Sequence, residues 1–193
     1  MTSSSSIGSQ AMPTVIVLAS GRGERFLASG GAGSKLKALL VGRPVLDHTM
    51  EAVRISGLPW HLEDGGHAGM GDSIAAGVRA TPESTGWLIL PADLPLIHAA
   101  TLQKVAQALA DGAAAAQAQY QGQRGHPVGF GAASGPQLAA LSGPLGAAPV
   151  LRALREAGQA VDVEVDDPGI FADIDTLADL ARAQAQLLNQ LSS

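Results

Sequence analysis

Apolar residues recur along the chain in two patterns, one typical of buried strands and the other of amphipathic helices. Short and almost continuous apolar runs predict strands, which lie at residues 13–19, 60–62, 86–90 and 127–130. Apolar residues three or four positions apart predict helices, which lie at residues 44–56, 72–80, 102–109, 148–157 and 176–191. Residues 113–120 fit either structure, because their alanines favour a helix whereas the glycine-containing turn after them favours a strand.

The order of these elements predicts the fold class. Strands that alternate with helices form an α/β layer fold with a mostly parallel sheet, and ligands bind such a sheet beyond the carboxyl ends of its strands. Residues 160–165 alternate apolar and acidic side chains, which predicts a strand near an edge. Residues 21–34 predict a loop. Thr176 and Asp179 are spaced as a capping pair at the start of the last helix.

The overall composition narrows the set of functions. The chain has 193 residues, and we predict one domain at residues 13–193 after a disordered, Ser-rich leader at residues 1–12. The net charge is −5 and no basic run occurs, so a nucleic-acid partner is not expected. No apolar run reaches the roughly 18 residues of a membrane span, and the leader lacks the apolar core of a signal peptide. The absence of cysteine excludes disulfides and thiolate chemistry and fits a cytoplasmic protein.

The first predicted strand runs directly into SGRGERF, a loop with two glycines and two arginines. Gly21 and Gly23 would let backbone N–H groups converge on an anion, and Arg22 and Arg25 add positive charge suited to a polyphosphate. The alternative interpretation is a plain turn. The loop does not match the dinucleotide-binding fingerprint, whose third glycine would fall at Phe26, and no P-loop pattern occurs nearby.

Two acidic motifs are candidates for metal binding. Asp93, in PADLP, directly follows the predicted strand at residues 86–90, where a carboxylate is a natural Mg²⁺ ligand; the alternative is that it only forms a turn between prolines. In DIDT, Asp173 and Asp175 flank Ile174, so both face away from the core if Ile174 faces into it. The alternative is that one of them only caps the following helix.

Basic and nucleophilic residues add further candidates. Lys35 and Lys37 end the loop after the first strand, where a lysine suits a phosphate, although two solvated lysines are the simpler interpretation. His126 lies in a turn-like RGHPVGF segment, and the five histidines show no zinc-ligand spacing. Ser73, Asp93 and His126 follow the chain order of a hydrolase triad, but GDSIA lacks the second glycine of a nucleophile elbow.

Taken in order, six segments resemble the MobA-like nucleotidyltransferases: LASGRGERF, GRPVL, GMGDSIAAG, LILPADLPL, RGHPVGF and DDPGIFADIDTLADL. The resemblance covers Val15 to Leu180 and is closest to the molybdenum cofactor cytidylyltransferase branch, because GHPV followed by DIDT is typical of that branch. It implies a three-layer α/β/α sandwich of the Rossmann-like, nucleotide-diphospho-sugar transferase type. It also implies Mg²⁺-dependent transfer of CMP from CTP to a phosphorylated acceptor such as molybdopterin, with release of pyrophosphate.

The resemblance also implies roles for individual residues. The nucleotide-binding residues would be Leu18, Ala19, Ser20, Gly21, Arg22, Gly23, Lys35, Gly71 and Ser73. The catalytic residues would be Arg25, Lys35 and Asp93, the metal ligands Asp93 and Asp175, and the acceptor-side residues His126 and Lys37. The partners would be the two substrates and either a molybdoenzyme or an insertion chaperone.

Two departures from the family pattern leave alternatives open. The segment after Arg25 is longer than usual, so the phosphate-directed lysine is Lys35 when counted nine residues back from Pro44, but Lys37 when KALL is matched. We favour Lys35, because the spacing to a fixed turn constrains geometry. Residues 49–69 are short for the family, which leaves open CTP or GTP, and leaves open acceptors such as methylerythritol phosphate or a phospholactate-like acid. A non-catalytic nucleotide- or cofactor-binding chaperone is the alternative from a different class.

Overall fold

The structure is a computed structural model that describes residues 12–21 and 23–191. The predicted leader at residues 1–12 lies outside the described residues except for Met12, and Arg22 lies outside them as well. The division into a leader and one domain therefore stays a prediction. Within the described part of the chain, no helix is both long enough and apolar enough to cross a membrane.

Strands and helices alternate along the described residues. The strands are β1 (Thr14–Leu18), β2 (Leu39–Leu40), β3 (Arg43–Pro44), β4 (Trp60–Glu63), β5 (Gly86–Pro91), β6 (Ala115–Tyr120), β7 (Gln123–Gly131) and β8 (Ala160–Glu164). The α-helices are α1 (Glu24–Ala28), α2 (Val45–Ile55), α3 (Met70–Ala80), α4 (Ala99–Ala110), α5 (Gly135–Ala139), α6 (Ala148–Glu156) and α7 (Leu177–Leu191). Short 3₁₀ helices lie at Lys35–Lys37, Ala132–Ser134 and Pro168–Phe171.

Six of the strands form one mostly parallel sheet in the order β4-β1-β5-β7-β6-β8. Strand β1 pairs in parallel with β4 and β5, and β6 pairs in parallel with β8, whereas β7 runs antiparallel between β5 and β6. The strand predicted near an edge, β8, lies at the edge. Because β1 and β5 are parallel neighbours, the loops after them open at the same edge of the sheet.

Helices cover both faces of this sheet. In β1, Val15 and Val17 belong to one apolar cluster with residues of α2, α4 and α7, such as Met50. Ile16, between them, belongs to a second cluster on the other face with Ile74 of α3 and residues of α5 and α6. Side chains of a strand alternate between faces, so a nearly continuous apolar sequence supplies both cores. The predicted three-layer α/β/α fold is confirmed.

Helix α3 lies close to β1 because Gly77 has no side chain. A Cβ atom at Gly77 would lie 2.6 Å from Cγ2 of Ile16, which is itself fully buried. A contact this short cannot be accommodated without moving the helix or the strand. Glycine in the middle of α3 therefore permits the close contact between this helix and the sheet, although alanine would stabilise the helix itself.

Tertiary packing decided two local structures that the sequence pattern left open or predicted wrongly. Residues 113–120, which fitted either structure, form β6 between β7 and β8. The prediction of an uninterrupted loop at residues 21–34 is wrong, because α1 forms within it. Phe26 of α1 is buried, and its ring packs against Gly31, where a Cβ atom would overlap it. A single buried residue in a five-residue helix gives no period, so the apolar pattern could not show it.

The predicted capping pair at the start of α7 is confirmed. The carboxylate Oδ2 of Asp179 accepts hydrogen bonds from the Thr176 N–H and hydroxyl, both at 2.7 Å, and the Thr176 hydroxyl accepts one from the Asp179 N–H at 3.2 Å. The same carboxylate accepts a hydrogen bond from the N–H of Asp175 at 3.1 Å. The cap therefore fixes the backbone of Asp175 as well as the end of the helix.

The buried carboxylate of Asp167 holds the 3₁₀ helix Pro168–Phe171, which lies just before Asp175 in the chain. The side chain of Asp167 is 1% exposed and accepts hydrogen bonds from the N–H of His98, the hydroxyl of Thr101 and the N–H of Gly169 at 2.9, 2.6 and 2.9 Å. These bonds join the 3₁₀ helix Pro168–Phe171 to the N-terminus of α4. The turn is thereby held against the carboxyl edge of the sheet.

Candidate active site

A cavity of about 630 Å³ opens at the carboxyl edge of the sheet. Its walls come from the loop after β1, the 3₁₀ helix Lys35–Lys37, the start of α3, the end of β5, the β6–β7 pair and the segment between Pro168–Phe171 and α7. The volume lies within the range of roughly 300–1,000 Å³ that is usual for small-molecule sites. The parallel strands β1 and β5 place the cavity where such sheets bind ligands.

The loop after β1 is anchored to the strands on both sides. The N–H of Ala19 and the hydroxyl of Ser20 donate hydrogen bonds to the carbonyl oxygen of Glu63, at 2.9 and 3.3 Å. On the other side, the N–H of Ala92 donates to the carbonyl oxygen of Leu18 at 3.0 Å. The start of this loop is therefore a fixed surface rather than a free turn.

The described loop residues divide into those that face the cavity and those that do not. Leu18, Ser20 and Gly21 line it, whereas Ala19 and Gly23 do not; Arg22 lies outside the described residues. Gly23 has a φ of 64°, in the left-handed region, at the turn into α1, so the backbone conformation explains this glycine. Ala19 and Gly23 therefore have no contact with the cavity that would support their predicted role in nucleotide binding.

Lys35 lines the cavity and lies between two carboxylates. Its Nζ atom donates to Oδ1 of Asp175 at 2.8 Å and forms an ion pair with Oδ2 of Asp93. The three side chains are only 12–14% exposed, so their charges interact in partly desolvated surroundings. Lys37 is exposed and does not line the cavity, because side chains two positions apart on a 3₁₀ helix point in different directions.

Asp93 and Asp175 come from distant parts of the chain but meet at one point. The N–H of Ile174 donates to the carbonyl oxygen of Asp93 at 3.0 Å, which ties the segment before α7 to the end of β5. Ile174 is buried in the core, and this orientation turns Asp173 and Asp175 toward the cavity. At the rim, Arg25 reaches Oδ2 of Asp175 at 2.7 Å with a side chain that is largely exposed.

Burial and mutual contacts shift the pKa values of Asp173, Asp175 and Lys35. Burial and a hydrogen bond to Asp175 raise the pKa of Asp173 to about 6. Burial also raises the pKa of Asp175, but the hydrogen bonds from Asp173 and Lys35 outweigh burial and hold this pKa below its ordinary value. Burial lowers the pKa of Lys35, but the attraction of Asp93 and Asp175 outweighs it and raises this pKa above its ordinary value. Lys35 is therefore a permanent cation among carboxylates.

Asp173→Asn is expected to stabilise the metal-free protein at about pH 8 but not at about pH 3.5. Asp173 binds a proton more tightly in the folded chain than in the unfolded chain. Its favourable contribution to the free energy of unfolding is therefore complete below its ordinary pKa of 3.8 and is lost as the pH rises through about 6. Asparagine keeps a hydrogen-bond donor toward Asp175 at every pH. The difference between the melting temperatures of variant and wild type, measured with a chelator, should grow as the pH rises from about 4 to about 6 and stay constant above that; a difference that does not change with pH would contradict this assignment.

Two predicted residues at the start of α3 have different surroundings. Ser73 lines the cavity, and its hydroxyl donates to the carbonyl oxygen of Gly69 at 3.3 Å. Gly71 does not line the cavity: its N–H donates to the carbonyl oxygen of Gly143 at 2.8 Å, and a Cβ atom would lie 2.7 Å from the carbonyl oxygen of Ser142. Glycine at position 71 is thus explained by packing, and only Ser73 has the cavity contact that the nucleotide role requires.

At this end of the cavity, Glu63 orients His67. The Glu63 carboxylate accepts hydrogen bonds from the Gly65 N–H at 3.0 Å, Nε2 of His67 at 3.0 Å and Nε2 of His61 at 3.3 Å. Burial raises the pKa of Glu63, but these hydrogen bonds outweigh it and hold the pKa below its ordinary value. His67 itself lines the cavity, so an ionised carboxylate sets the direction of its ring.

The wall at the other end comes from β6 and β7 and includes Gln117, Arg124 and His126. Gln117 donates from Nε2 to the carbonyl oxygen of Gly125 at 3.2 Å. Arg124 donates from Nε and Nη2 to the two carboxylate oxygens of Asp162, at 3.0 and 2.7 Å. His126, predicted on the acceptor side, lies in the same wall, whereas Lys37, predicted with it, lies outside the cavity.

Sequence reasoning missed a group of residues that line the cavity. They are Glu24, Leu36, His67, Ala68, Gly69, Met70, Pro91, Leu94, Gln117, Arg124, Gly125, Ile170 and Phe171. Most of them lie inside or next to the motif segments, so reading whole segments rather than single residues would have found them. Leu36, His67 and Gln117 lie outside those segments, and nothing in their local sequence marks them as residues of a cavity.

Asp93 and Asp175 have the chemistry to hold a divalent cation. Mg²⁺ takes one or two carboxylates from a protein and completes its coordination with water and phosphate oxygens. The Nζ atom of Lys35 marks the point between these carboxylates where positive charge is held. Among the described residues, no three His, Cys, Asp or Glu side chains form a complete metal site. The two carboxylates therefore fit an ion that takes its remaining ligands from water and from a bound phosphate.

A family model described as the MobA-like NTP transferase domain matches residues 52–160, which is more than half of the chain. The match includes the end of β5 with Asp93 and the β6–β7 wall with His126. None of the curated protein sequences compared with this chain matches it.

Several solved structures have a similar fold. A nucleotidyl transferase from Methanothermobacter is 23% identical with a TM-score of 0.76, over 93% of this chain and 99% of that chain. Rv0371c from Mycobacterium tuberculosis, in complex with manganese, is 20% identical with a TM-score of 0.65, over 91% and 98%. Molybdopterin-guanine dinucleotide biosynthesis protein A from Archaeoglobus fulgidus is 16% identical with a TM-score of 0.61, over 91% and 99%. At these identities the likeness shows a shared fold.

Proposed function

This chain belongs to the MobA-like NTP transferase family and is a nucleotidyltransferase, and on that premise we propose that it transfers CMP from CTP to molybdopterin and releases pyrophosphate. The two substrates, the use of Mg²⁺ and a cytoplasmic location are all parts of the proposal. The observation that carries it is the position of Lys35 between Asp93 and Asp175, beside the loop after β1.

The reaction depends on positioned positive charges and requires no general base. An oxygen of the acceptor phosphate attacks the α-phosphorus of the nucleotide in line, and the bond to the β-phosphate breaks as pyrophosphate leaves. The attacking phosphate is already ionised, so no proton has to be removed. Lys35 would offset the charge that develops around the α-phosphate, and Arg25 at the rim would pair with the leaving phosphates.

A divalent ion fits this arrangement as a supplier of further positive charge on the phosphates. Asp93 and Asp175 are the residues that would hold it. Because Lys35 binds the same two carboxylates, a bound ion would replace the ammonium group there, and Lys35 would then be free to turn toward the phosphates. The manganese complex of Rv0371c supports the use of a divalent ion on this fold, and Mg²⁺ is our choice because nucleoside triphosphates commonly carry it.

The choice of CTP and molybdopterin rests on the motif segments. RGHPVGF and GMGDSIAAG are the parts that resemble the cytidylyltransferase branch, and both contribute residues to the cavity walls. The name of the Archaeoglobus fulgidus protein supports molybdopterin chemistry on this fold. That name specifies a guanine dinucleotide, so GTP is the nucleotide against which CTP has to be compared.

Pyrophosphate release, measured with each of the four common NTPs together with Mg²⁺ and molybdopterin, tests the proposal. We expect kcat/KM for CTP to exceed that for GTP by about tenfold or more, and we expect no release when a chelator removes the metal. A preference for GTP would make the protein a guanylyltransferase. Release only with methylerythritol phosphate or phospholactate would change the acceptor. No release with any pair would favour a non-catalytic binding protein.

Gly21→Ala is expected to weaken binding of Mg²⁺–CTP without lowering the stability of the protein. Gly21 lines the cavity, and a Cβ atom there would meet no atom within 4 Å. The added methyl group would therefore fit the ligand-free protein but occupy the space of the phosphate chain. Calorimetric titration should show a Kd raised on the order of tenfold.

The matched control for this substitution is Gly77→Ala, which should show the opposite pattern. Its Cβ atom would lie 2.6 Å from Cγ2 of Ile16, so the melting temperature should fall while the folded fraction binds CTP normally. An unchanged Kd in Gly21→Ala would show that the phosphates lie elsewhere.

A further inference from the structure

The carboxylate of Glu63 determines which nitrogen of His67 donates a hydrogen bond. Burial raises the pKa of Glu63, but its hydrogen bonds outweigh burial and keep the group ionised, so both of its oxygens can only accept. Nε2 of His67, at 3.0 Å from Oε1 of Glu63, must therefore carry a proton. A neutral imidazole that donates from Nε2 has a lone pair at Nδ1.

Nδ1 lies on the accessible edge of the His67 ring. A Cβ atom at Gly65 would lie 2.8 Å from Nε2 and 3.4 Å from Cδ2, so Gly65 covers the opposite edge. Among the described side chains, Nδ1 of His126 is the one buried nitrogen or oxygen without a hydrogen-bond partner. Nδ1 of His67 has no partner among the described residues either, so it is not buried. The side chain is 30% exposed and the residue lines the cavity, which leaves the lone pair open to a ligand.

The cavity wall beside His67 is uncharged and fixed in place. Between positions 68 and 73, the residues that line the cavity are Ala68, Gly69, Met70 and Ser73. The backbone at Gly69 lies against that of Gly143, since a Cβ atom there would be 2.4 Å from the Gly143 carbonyl oxygen. The thioether of Met70 lies close to Gly146, where a Cβ atom would be 2.7 Å from the sulfur. A polarisable, apolar surface of this kind suits a flat ring rather than a phosphate.

The nucleoside part of the substrate reaches this wall in the proposed reaction. Lys35 and Arg25 take the phosphates, and the loop between them and β4 is fixed by the bond from Ser20 to the carbonyl oxygen of Glu63. Strand β4 lies beside β1, whereas β7, with the predicted acceptor residue His126, lies on the other side of β5. With the acceptor at β7, the base of the nucleotide is left with the β4 end of the cavity.

We propose that His67, oriented by Glu63, selects the nucleobase of the bound NTP by accepting a hydrogen bond at Nδ1 from an exocyclic amino group. The inference rests on the proposed function, since it requires a nucleotide in the cavity, and it names the residue that chooses the base. Cytosine and adenine carry an amino group at the ring position where uracil and guanine carry a carbonyl oxygen. The lone pair of Nδ1 would bond to the amino group and repel the carbonyl oxygen.

CTP and UTP isolate this contact, because the two bases have the same size. Calorimetric titration with Mg²⁺, at about pH 8.5 where an imidazole is neutral, measures both affinities without an acceptor. We expect wild type to bind CTP about tenfold or more tightly than UTP. His67→Phe keeps an aromatic ring but has no lone pair to offer, and its affinities for CTP and UTP should lie within about twofold of each other.

His61→Phe is the matched control. His61 contacts the other carboxylate oxygen of Glu63 at 3.3 Å, and its side chain is also 30% exposed, but it does not line the cavity. The variant should keep the wild-type preference for CTP. A similar loss of preference in both variants would show that the effect comes from disturbing Glu63, and it would overturn the inference.

The remaining outcomes separate this inference from the proposed function. Transfer of CMP to molybdopterin by a wild type that binds CTP and UTP equally, or a CTP preference that persists in His67→Phe, would overturn the inference and leave the function standing. A CTP preference that depends on His67, without transfer to any acceptor, would overturn the function alone. A wild type that binds no NTP overturns both.

If His67→Phe does not fold, the wild-type protein decides the inference with a CTP analogue that has hydrogen in place of the 4-amino group. The analogue should bind about tenfold more weakly than CTP. CTP should shift the Nδ1 resonance of His67 in the imidazole ¹⁵N spectrum, and the analogue should not. Equal affinities, or the same shift with both nucleotides, would contradict a hydrogen bond from the amino group to Nδ1.

Discussion

Lys35→Ala is expected to lower turnover on the order of a hundredfold or more, whereas Lys37→Ala should leave turnover close to that of wild type. The ammonium group of Lys35 lies inside the cavity between Asp93 and Asp175, while Lys37 is exposed and lies outside it. Removing Lys35 takes away a positioned charge that would offset the negative charge developing around the α-phosphate. Removing Lys37 takes away only a solvated charge.

Steady-state rates with saturating Mg²⁺–CTP and acceptor measure this difference, and thermal melting shows whether each variant is folded. Lys35→Ala also leaves Asp93 and Asp175 facing each other without their shared cation. We therefore expect its melting temperature to fall in chelator and to recover with Mg²⁺ more than that of wild type does. Equal losses in the two variants, or a larger loss in Lys37→Ala, would mean that the lysine of the family pattern has been assigned wrongly.

Asp93→Asn and Asp175→Asn should each lower turnover by roughly a hundredfold to a thousandfold while leaving the fold intact. Both carboxylates contact the Nζ atom of Lys35, so they are close enough to act on one cation. Asparagine has the size and shape of aspartate but not its charge, and a neutral amide is a poor ligand for Mg²⁺. The loss should therefore appear as weakened metal binding in calorimetric titration with Mg²⁺ and CTP.

Asp173→Asn is the matched control for these two variants. Asp173 lines the same cavity and exchanges a hydrogen bond with Asp175, but it forms no ion pair with Lys35. We expect a loss of about tenfold or less, because asparagine can still donate to Asp175. Full activity in Asp93→Asn or Asp175→Asn, or a loss in Asp173→Asn as large as theirs, would be incompatible with a metal held by Asp93 and Asp175.

The long and strongly patterned elements could be predicted from the sequence because burial on a sheet face or a helix face imposes a period. The apolar runs of β1 and β5 and the apolar stripes of α2 and α4 are of this kind. Short elements could not be predicted in this way. Helix α1 buries one side chain, Phe26, and the hairpin of β2 and β3 has two residues in each strand. Neither is long enough for a period to be seen.

The candidate site was predictable to the extent that its residues follow strands. Asp93 and the loop after β1 could be placed at the carboxyl edge of a parallel sheet. The alternation around Ile174 correctly predicted that Asp175 faces away from the core. The segment around Gly71 suggests a ligand site equally well, but glycine is needed at this position because the backbone of Ser142 lies against it. A motif shows where a residue lies along the chain, but it does not show which neighbour makes that residue necessary.

The sequence by itself determined the α/β class, the order of the strongly patterned strands and helices, the family and most of the segments that border the cavity, because these depend on local periodicity and on residues close together in the chain. Only the tertiary structure decided that Lys35, rather than Lys37, meets Asp93 and Asp175, that Asp173 exchanges a hydrogen bond with Asp175, and that Nδ1 of His126 is left without a partner. Each of these facts concerns side chains brought together from distant segments, and such contacts depend on the packing of helices against the sheet and have no local signal in the sequence.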